Sequence, residues 1–189
     1  MRLVVGITGA SGAICGIRLL QVLSGIAEIE THLIITRTAE KIIKSETDFK
    51  LGDIKALANF SYDIDDIGAR LASGSFKREG MIIAPCSIKT LSAVANCCSL
   101  NLLTRTADVT LKERKRLLLL VRETPLHLGH LRNMASVTEM GAIIMPPIPA
   151  FYFKPRTVAD IIDHTVGKML DVFDIEHNLF PRWSGTENI

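Results

Sequence analysis

The sequence carries little net charge, few aromatic residues and no long apolar run. Its 189 residues have a formal net charge of +2, and aromatic residues make up only 5% of them. So small an excess of charge provides no broad basic field for nucleic acid or for an anionic membrane surface. No apolar stretch reaches the length of a membrane span, and no signal peptide precedes the first apolar run. We therefore expect neither nucleic acid nor a membrane as a partner.

Cysteine is also scarce, and its spacing is not that of a disulfide framework or a zinc site. The four cysteines are Cys15, Cys86, Cys97 and Cys98; there is no CxxC motif, and the adjacent pair is poorly placed to form a bridge. This usage favours a reduced, cytoplasmic protein. Cys86 could act as a nucleophile, although a small buried apolar side chain is the simpler interpretation.

Metal sites are not expected either. His127 and His130 are spaced for one face of a helix, but the HExxH pattern of a zinc enzyme is missing. The acidic group Asp63, Asp65 and Asp66 lacks the DDxxD spacing expected for magnesium and a diphosphate. We interpret this group as a loop or a helix cap.

Apolar strand patterns and helical patterns alternate along the chain, without a repeat or a linker-like segment. The predicted strands are Leu3–Ile7, Thr31–Thr36, Met81–Pro85, Leu117–Val121 and Ala142–Met145. The predicted helices are Ala13–Leu23, Ala39–Glu46, Ile54–Ala58, Ser87–Val94, Val109–Lys115, Leu128–Glu139 and Val158–Val172, with loop and short helix over Phe60–Phe76. Most strand candidates are continuous apolar runs, which indicates burial on both faces. We therefore expect one α/β domain over residues 1–189, a three-layer, doubly wound parallel sheet of the Rossmann or flavodoxin type.

The first strand leads into three glycines, Gly6, Gly9 and Gly12, and a helical pattern begins at Ala13. A tight glycine turn before a helix N-terminus lets the backbone approach an anion, and the N–H groups and the helix dipole favour its charge. This order predicts a site for a nucleotide or a phosphorylated cofactor.

Other sequence motifs reduce the number of ligand classes that this site could bind. An NAD fingerprint requires an acid at the end of the second strand, where Thr36-Arg37 stands instead; Arg37 leaves NADP open. The GxxxxGK[ST] motif of P-loop NTPases is absent. The stretch around Ser11 resembles a hydrolase elbow, but Ala13 replaces its last glycine. The flanking glycines favour Ser11 as a hydrogen-bonding group at the ligand over a helix cap.

Polar motifs follow every predicted strand, and parallel strands bring their carboxyl ends to one edge of the sheet. These motifs are Gly9–Gly12, Thr36-Arg37, Pro85–Thr90, Arg122-Glu123 and Pro146–Tyr152. Basic side chains and tyrosine bind phosphate oxygens, and glutamate moves protons. The side chains that could do so are Lys112, Arg122, Glu123, Tyr152 and Lys168. Arg122-Glu123 directly follows an apolar strand, where charges without a role are unfavourable.

At these residues the chain resembles the UbiX-type flavin prenyltransferases, a family of homo-oligomeric flavin-containing proteins. The resemblance runs from Leu3 to about Trp183. Its ordered motifs are Gly6–Gly12, Glu46–Asp48, Ser73–Phe76, Pro85–Ser92, Arg105–Arg114, Val121–Leu126, Pro149–Tyr152 and Pro181–Trp183.

The resemblance implies an activity. Family members join a dimethylallyl group from dimethylallyl monophosphate to N5 and C6 of reduced FMN, without a metal. The prenylated FMN then serves a decarboxylase of the UbiD type, in ubiquinone synthesis or in phenolic-acid decarboxylation. The resemblance also implies a homododecamer with active sites between subunits.

The resemblance further assigns residues. Those implied to hold FMN are Gly9, Ala10, Ser11, Thr36, Ser87, Ile88, Lys89, Thr90 and Arg122, with Ser11 near N5 and Thr36 in place of a usual serine. Those implied to bind the prenyl phosphate or wall its pocket are Tyr152, Lys168, Arg105 and Trp183. Lys112 and Glu123 would join the phosphate network across a subunit interface. The base that removes the C6 proton could be Glu46 or the released phosphate.

Two other functions stay open. The first is an FMN-dependent decarboxylase acting on an aromatic or a cysteinyl acid. Its peptidyl-cysteine members use a catalytic histidine just after the second strand, where Thr38-Ala39-Glu40 stands instead, and this argues against that type. A non-catalytic flavin carrier would need the FMN motifs but not the combination of Lys112, Glu123, Tyr152 and Lys168.

Overall fold

The computed structural model describes residues 1–183 and 185; the remaining residues of the expected domain lie outside this part. Within it the strands are β1 (Arg2–Ile7), β2 (Glu30–Ile35), β3 (Phe60–Tyr62), β4 (Gly80–Cys86), β5 (Arg116–Val121) and β6 (Ile143–Ile144). The helices are α1 (Ala13–Ser24), α2 (Arg37–Glu46), α3 (Leu51–Ala56), α4 (Ile88–Ala95), α5 (Leu102–Lys112), α6 (Leu128–Glu139) and α7 (Val158–Val172). By contacts the chain divides into two compact units, Met1–Pro146 and a second that begins at Pro147.

The first unit is built on a parallel sheet. Its six strands lie in the order β3-β2-β1-β4-β5-β6, and every neighbouring pair is parallel. The order reverses between β1 and β4, and ligands of doubly wound folds bind at such a reversal. The predicted doubly wound parallel sheet is confirmed.

Helices cover both faces of this sheet. On one face, α1 packs so closely that a Cβ on Gly16 would lie 2.1 Å from the Ala84 carbonyl oxygen and 3.1 Å from Ile7. On the other face, buried strand residues such as Val4 share one apolar cluster with Leu103 of α5 and Val137 of α6. The three-layer arrangement is therefore confirmed as well.

Several predicted elements differ in detail from the structure; the third helix, predicted as Ile54–Ala58, spans Leu51–Ala56. Residues Phe60–Tyr62 form strand β3 instead of a loop; this edge strand pairs only with β2 and is partly exposed, so it lacks an apolar run. The fifth helix spans Leu102–Lys112 instead of Val109–Lys115. It starts early because Asn101 caps it: the Asn101 side chain accepts from the Thr104 N–H at 3.0 Å.

The second unit contains α7, with the predicted bounds. Thr157 and Asp160 form a capping box, in which the Asp160 N–H donates to the Thr157 hydroxyl at 3.2 Å and the Thr157 N–H donates to Asp160 at 2.9 Å. The buried side of α7 includes His164, Val166 and Leu170. Across the described residues, no helix is both long and apolar enough to cross a membrane.

Candidate active site

A cavity of about 450 Å³ opens in the first unit at the carboxyl ends of the strands. Five successive strands, β1 to β5, supply loop residues to it. The lining residues are Gly9, Thr36, Arg37, Thr38, Ile64, Asp65, Ser87, Ile88, Lys89, Thr90, Ala93, Leu100, Asn101, Thr104 and Glu123. The predicted meeting of strand-end motifs is thus confirmed for the motifs after β1, β2, β4 and β5.

Buried Thr8 holds the ends of β1 and β4 side by side. Its hydroxyl donates to the Pro85 carbonyl oxygen at 2.8 Å and accepts from the Ser87 N–H at 2.8 Å. The Thr8 N–H also donates to the Pro85 carbonyl oxygen, at 3.2 Å. The two loops that flank the strand-order reversal are therefore fixed relative to each other.

The glycine turn after β1 depends on the small size of Gly9. A Cβ at that position would lie 2.4 Å from the Thr38 methyl carbon. Gly12 has φ of 93° and stands at the N-cap of α1 without a side-chain cap. Ser11 is therefore not the helix cap, and within the described residues its hydroxyl makes no hydrogen bond, which leaves it available to a ligand.

Glu46 faces this turn from the last residue of α2. Its Oε2 accepts from the Gly12 N–H at 2.9 Å. The carboxyl group is exposed and is held at Gly12, the residue that follows Ser11 in the turn, although neither Glu46 nor Ser11 is among the cavity-lining residues.

Two further helix N-termini point toward the cavity. The Thr36 hydroxyl caps α2 by accepting from the Ala39 N–H at 3.2 Å. The Ser87 hydroxyl caps α4 by accepting from the Thr90 N–H at 3.3 Å. Such ends favour an anion, and the exposed ammonium of Lys89 in the first turn of α4 adds positive charge.

Sequence reasoning did not assign Asp65, Asn101 or Thr104 to the cavity wall. Arg37 forms an ion pair with Asp65 of the loop after β3, and both line the cavity. The Asp65 N–H donates to Asp63 at 2.9 Å, so the acidic group is a loop, as predicted. Asn101 and Thr104 were missed as well, although an asparagine and a threonine spaced by three, with two leucines between them, are a recognisable helix start.

Arg122 and Glu123 follow β5. The Arg122 N–H donates to the Cys86 carbonyl oxygen at 3.1 Å, and its exposed side chain is not among the cavity-lining residues. Glu123 lines the cavity, and its carboxylate accepts from the Thr124 N–H at 3.0 Å. Only Glu123 of this pair is therefore brought to the cavity.

Lys112 lies at the far end of α5. The helix begins beside the cavity at Asn101 and runs for 11 residues, about 16 Å along its axis. Lys112 there pairs with Glu113. Arg105, on the same helix, donates to Asp108 at 2.7 Å and to the Ala72 carbonyl oxygen at 3.3 Å. The first unit does not bring Lys112 together with Glu123.

The second unit groups the other predicted substrate residues. The Tyr152 hydroxyl lies 3.2 Å from His164 Nε2, and its ring meets Trp183 edge-on at 5.7 Å between centroids. Lys168 donates to Asp171 at 3.3 Å, and Arg182 donates to the same carboxylate at 2.7 Å. Partial burial acts to raise the pKa of Asp171, but the hydrogen bonds from Arg182 and Lys168 lower it to about 2.

Cys86 is not a reactive thiol, and the described residues form no metal cluster. Burial raises the pKa of Cys86 far above its ordinary value, so its thiol does not ionise near neutral pH. The centroids of the His127 and His130 rings lie 3.5 Å apart with the ring planes tilted by 32°, and His127 caps α6 by accepting from the Gly129 N–H at 3.1 Å. Among the described residues, no three potential ligands group into a metal site.

Comparison with known proteins identifies the family. A protein-family model described as Flavoprotein matches residues 1–183. The chain is 58% identical over 187 residues to the flavin prenyltransferase UbiX of Thauera aromatica, covering 99% of this chain and 96% of that protein. The chain belongs to the UbiX family of flavin prenyltransferases.

Solved structures of the UbiX type share this fold. A crystal structure of AnUbiX, in complex with FMN and dimethylallyl pyrophosphate, has a TM-score of 0.96 at 50% identity and covers 98% of each chain. A dodecameric FMN-dependent UbiX-like decarboxylase from Escherichia coli O157:H7 has a TM-score of 0.96 at 45% identity, covering 98% of this chain and 100% of that one.

Proposed function

We propose that this protein is a flavin prenyltransferase that joins the dimethylallyl group of dimethylallyl monophosphate to N5 and C6 of reduced FMN. The product, prenylated FMN, would serve a UbiD-type decarboxylase. One observation carries the proposal: a glycine turn and two capped helix N-termini converge on one cavity at the strand-order reversal. Membership of the UbiX family gives that anion-binding cavity its chemistry.

The cavity residues fit FMN. The α4 N-terminus with Ser87, Thr90 and Lys89 complements a phosphate, and Ile88 supplies an apolar wall. Gly9 and Thr36 line the cavity and would hold the flavin from the β1 and β2 sides. Ala10, Ser11 and Arg122 are not among the cavity-lining residues, and we propose that they join the FMN site on the strength of the family resemblance. When bound, reduced FMN supplies the nucleophilic nitrogen and carbon that accept the prenyl group.

Glu46 is the base that we favour. Its Oε2 is held by the Gly12 N–H at 2.9 Å, which orients the carboxyl group and leaves Oε1 to take a proton. The released phosphate is the competing base. Ser11, whose hydroxyl makes no hydrogen bond within the described residues, would orient the flavin beside this carboxylate.

Basic side chains would stabilise the leaving phosphate. Tyr152 and Lys168 would bind it together with Arg105, and Trp183 would provide an aromatic wall. Lys112 lies about 16 Å from the start of its own helix, so we propose that it acts with Glu123 in a site shared between subunits. A homododecamer, the assembly of the E. coli structure, would provide such sites.

Mass spectrometry of the flavin released after anaerobic incubation tests the activity. The protein is supplied with reduced FMN and either dimethylallyl monophosphate or dimethylallyl pyrophosphate. We expect a flavin heavier by one isoprene unit with the monophosphate. Unmodified FMN with both donors, from protein that binds FMN, would instead support a decarboxylase or a flavin carrier. Full prenylation by Tyr152→Phe or Glu123→Gln would refute those residue assignments.

We also propose that residues 1–189 form one flavoprotein domain in the cytoplasm. The family model extends over residues 1–183, which include most of both units. All four cysteines are free thiols, as is usual in a reducing compartment.

A further inference from the structure

The Tyr152 hydroxyl has a buried partner. It lies 3.2 Å from His164 Nε2, and His164 is only 8% exposed on the buried side of α7, whereas Tyr152 is 40% exposed. One end of this hydrogen bond is therefore inside the second unit, and the other faces outward.

Aromatic packing fixes the His164 ring. Phe153 stacks on it with centroids 5.1 Å apart and planes 8° apart, and Phe180 packs against it at 4.5 Å. Phe180 fits there because α7 carries Gly167, whose Cβ would lie 2.4 Å from the Phe180 ring. A ring held in this way presents Nε2 in one direction.

The charge state of His164 follows from its surroundings. Burial lowers its pKa, the positive charge of Lys168 lowers it further, and Asp171 opposes them. The imidazole is therefore neutral at neutral pH and carries one N–H. If that proton is on Nε2, it is donated to the Tyr152 oxygen, and the phenolic O–H stays free to donate elsewhere.

We propose that His164 is a positioning residue for Tyr152: it donates from Nε2 to the phenolic oxygen, so that the phenolic O–H is directed at a phosphate oxygen of the prenyl donor. This inference rests on the proposed function. A phosphate accepts hydrogen bonds, so a tyrosine whose proton was committed to His164 would offer it only lone pairs. The charged groups around this pair are Lys168, Asp171 and Arg182.

A double-mutant cycle tests this inference. The readouts are the KM for dimethylallyl monophosphate and, separately, its calorimetric Kd with the flavin-free protein. We expect Tyr152→Phe and His164→Leu each to raise both values by about tenfold, the usual effect of one lost hydrogen bond to a charged group. The double variant should be no worse than Tyr152→Phe alone, because His164 acts through the hydroxyl. His164→Gln, whose amide can still donate, should recover most of the affinity.

Further outcomes separate the two proposals. Equal affinity of His164→Leu and wild type, or an additional loss when His164→Leu is placed in the Tyr152→Phe protein, would overturn the positioning role. A weakened His164→Gln with an unchanged thermal unfolding midpoint would overturn it too. Absence of prenylated flavin from the wild type would instead refute the proposed function, while the Kd cycle would still report on the Tyr152–His164 coupling.

Discussion

The Gly12 N–H donates to Glu46 Oε2 at 2.9 Å, which joins the last residue of α2 to the glycine turn after β1. Glu46→Gln keeps an acceptor for this N–H but cannot take a proton at neutral pH. We expect this variant to bind FMN as the wild type does and to prenylate it about 100-fold more slowly or worse, the usual size of a general-base effect. Anaerobic single-turnover kinetics with reduced FMN measure the rate.

Glu46→Ala is the comparison variant, since it loses both the base and the acceptor. It should also weaken FMN binding, because the Gly12 N–H is left without its partner. If Glu46→Gln prenylates FMN at the wild-type rate, then the released phosphate, and not Glu46, removes the C6 proton.

Gly9→Ala tests the tight turn. The new methyl group would lie 2.4 Å from the Thr38 methyl carbon, so the start of α2 or the turn must move. We expect a loss of about 1–3 kcal/mol in stability, typical of overpacking, together with weaker FMN binding. Fluorescence titration with FMN and urea unfolding measure the two effects.

Gly52→Ala is the matched control, because a Cβ at Gly52 would meet no atom within 4 Å. Gly52 lies inside α3, where alanine is also the better helix former. This variant should bind FMN normally and be at least as stable as the wild type. If Gly9→Ala binds FMN and unfolds as the wild type does, the close contact between the glycine turn and Thr38 is not required for either property.

Much of the cavity could be predicted because its residues follow buried strands directly. Gly9 and Ser87 stand after long apolar runs, and a parallel sheet brings such strand ends together. Asp65 could not be found in this way, because β3 is a partly exposed edge strand without an apolar run. Its ion pair with Arg37 joins segments 28 residues apart, and nothing in the spacing of a single sequence encodes that contact.

In the second unit, too, local features could be predicted from the sequence, whereas contacts between distant residues could not. The pattern of apolar residues gave the bounds of α7 correctly, because its cap and buried side are local features. The contact between Tyr152 and His164 depends on how the preceding segment returns to the helix, as does the shared binding of Lys168 and Arg182 by Asp171. Spacing alone does not predict such a return.

Thiol reactivity should divide the cysteines into two classes. Cys97 and Cys98 are exposed, whereas burial raises the pKa of Cys15 to about 11 and that of Cys86 still further. An aromatic disulfide reagent should therefore modify the exposed pair quickly and the buried pair only after unfolding. Cys86→Ala should keep its prenylation activity; a loss of activity without a change in FMN binding would make Cys86 a reacting group.

Asp171→Asn should destabilise the second unit in a pH-dependent way. The pKa of Asp171 is lowered from 3.8 to about 2, so its carboxylate contributes about 2 kcal/mol of stability above pH 4, and this contribution is lost as the pH falls toward 2. The free energy of unfolding of the variant should therefore be lower than that of the wild type at pH 7, and the two values should become similar near pH 2. Fluorescence of Trp183, the single tryptophan, reports unfolding next to Arg182.

Asp48→Asn is the control for this experiment, because Asp48 is exposed and makes no ion pair among the described residues. The stability of Asp48→Asn should equal that of the wild type at every pH. The loss of stability in Asp171→Asn should also be larger at low salt, because Asp171 pairs with the exposed cations Lys168 and Arg182 as well as with His177 Nε2 at 3.2 Å. A stability difference that stays constant from pH 7 to pH 2 would show that Asp171 acts through packing and not through its charge.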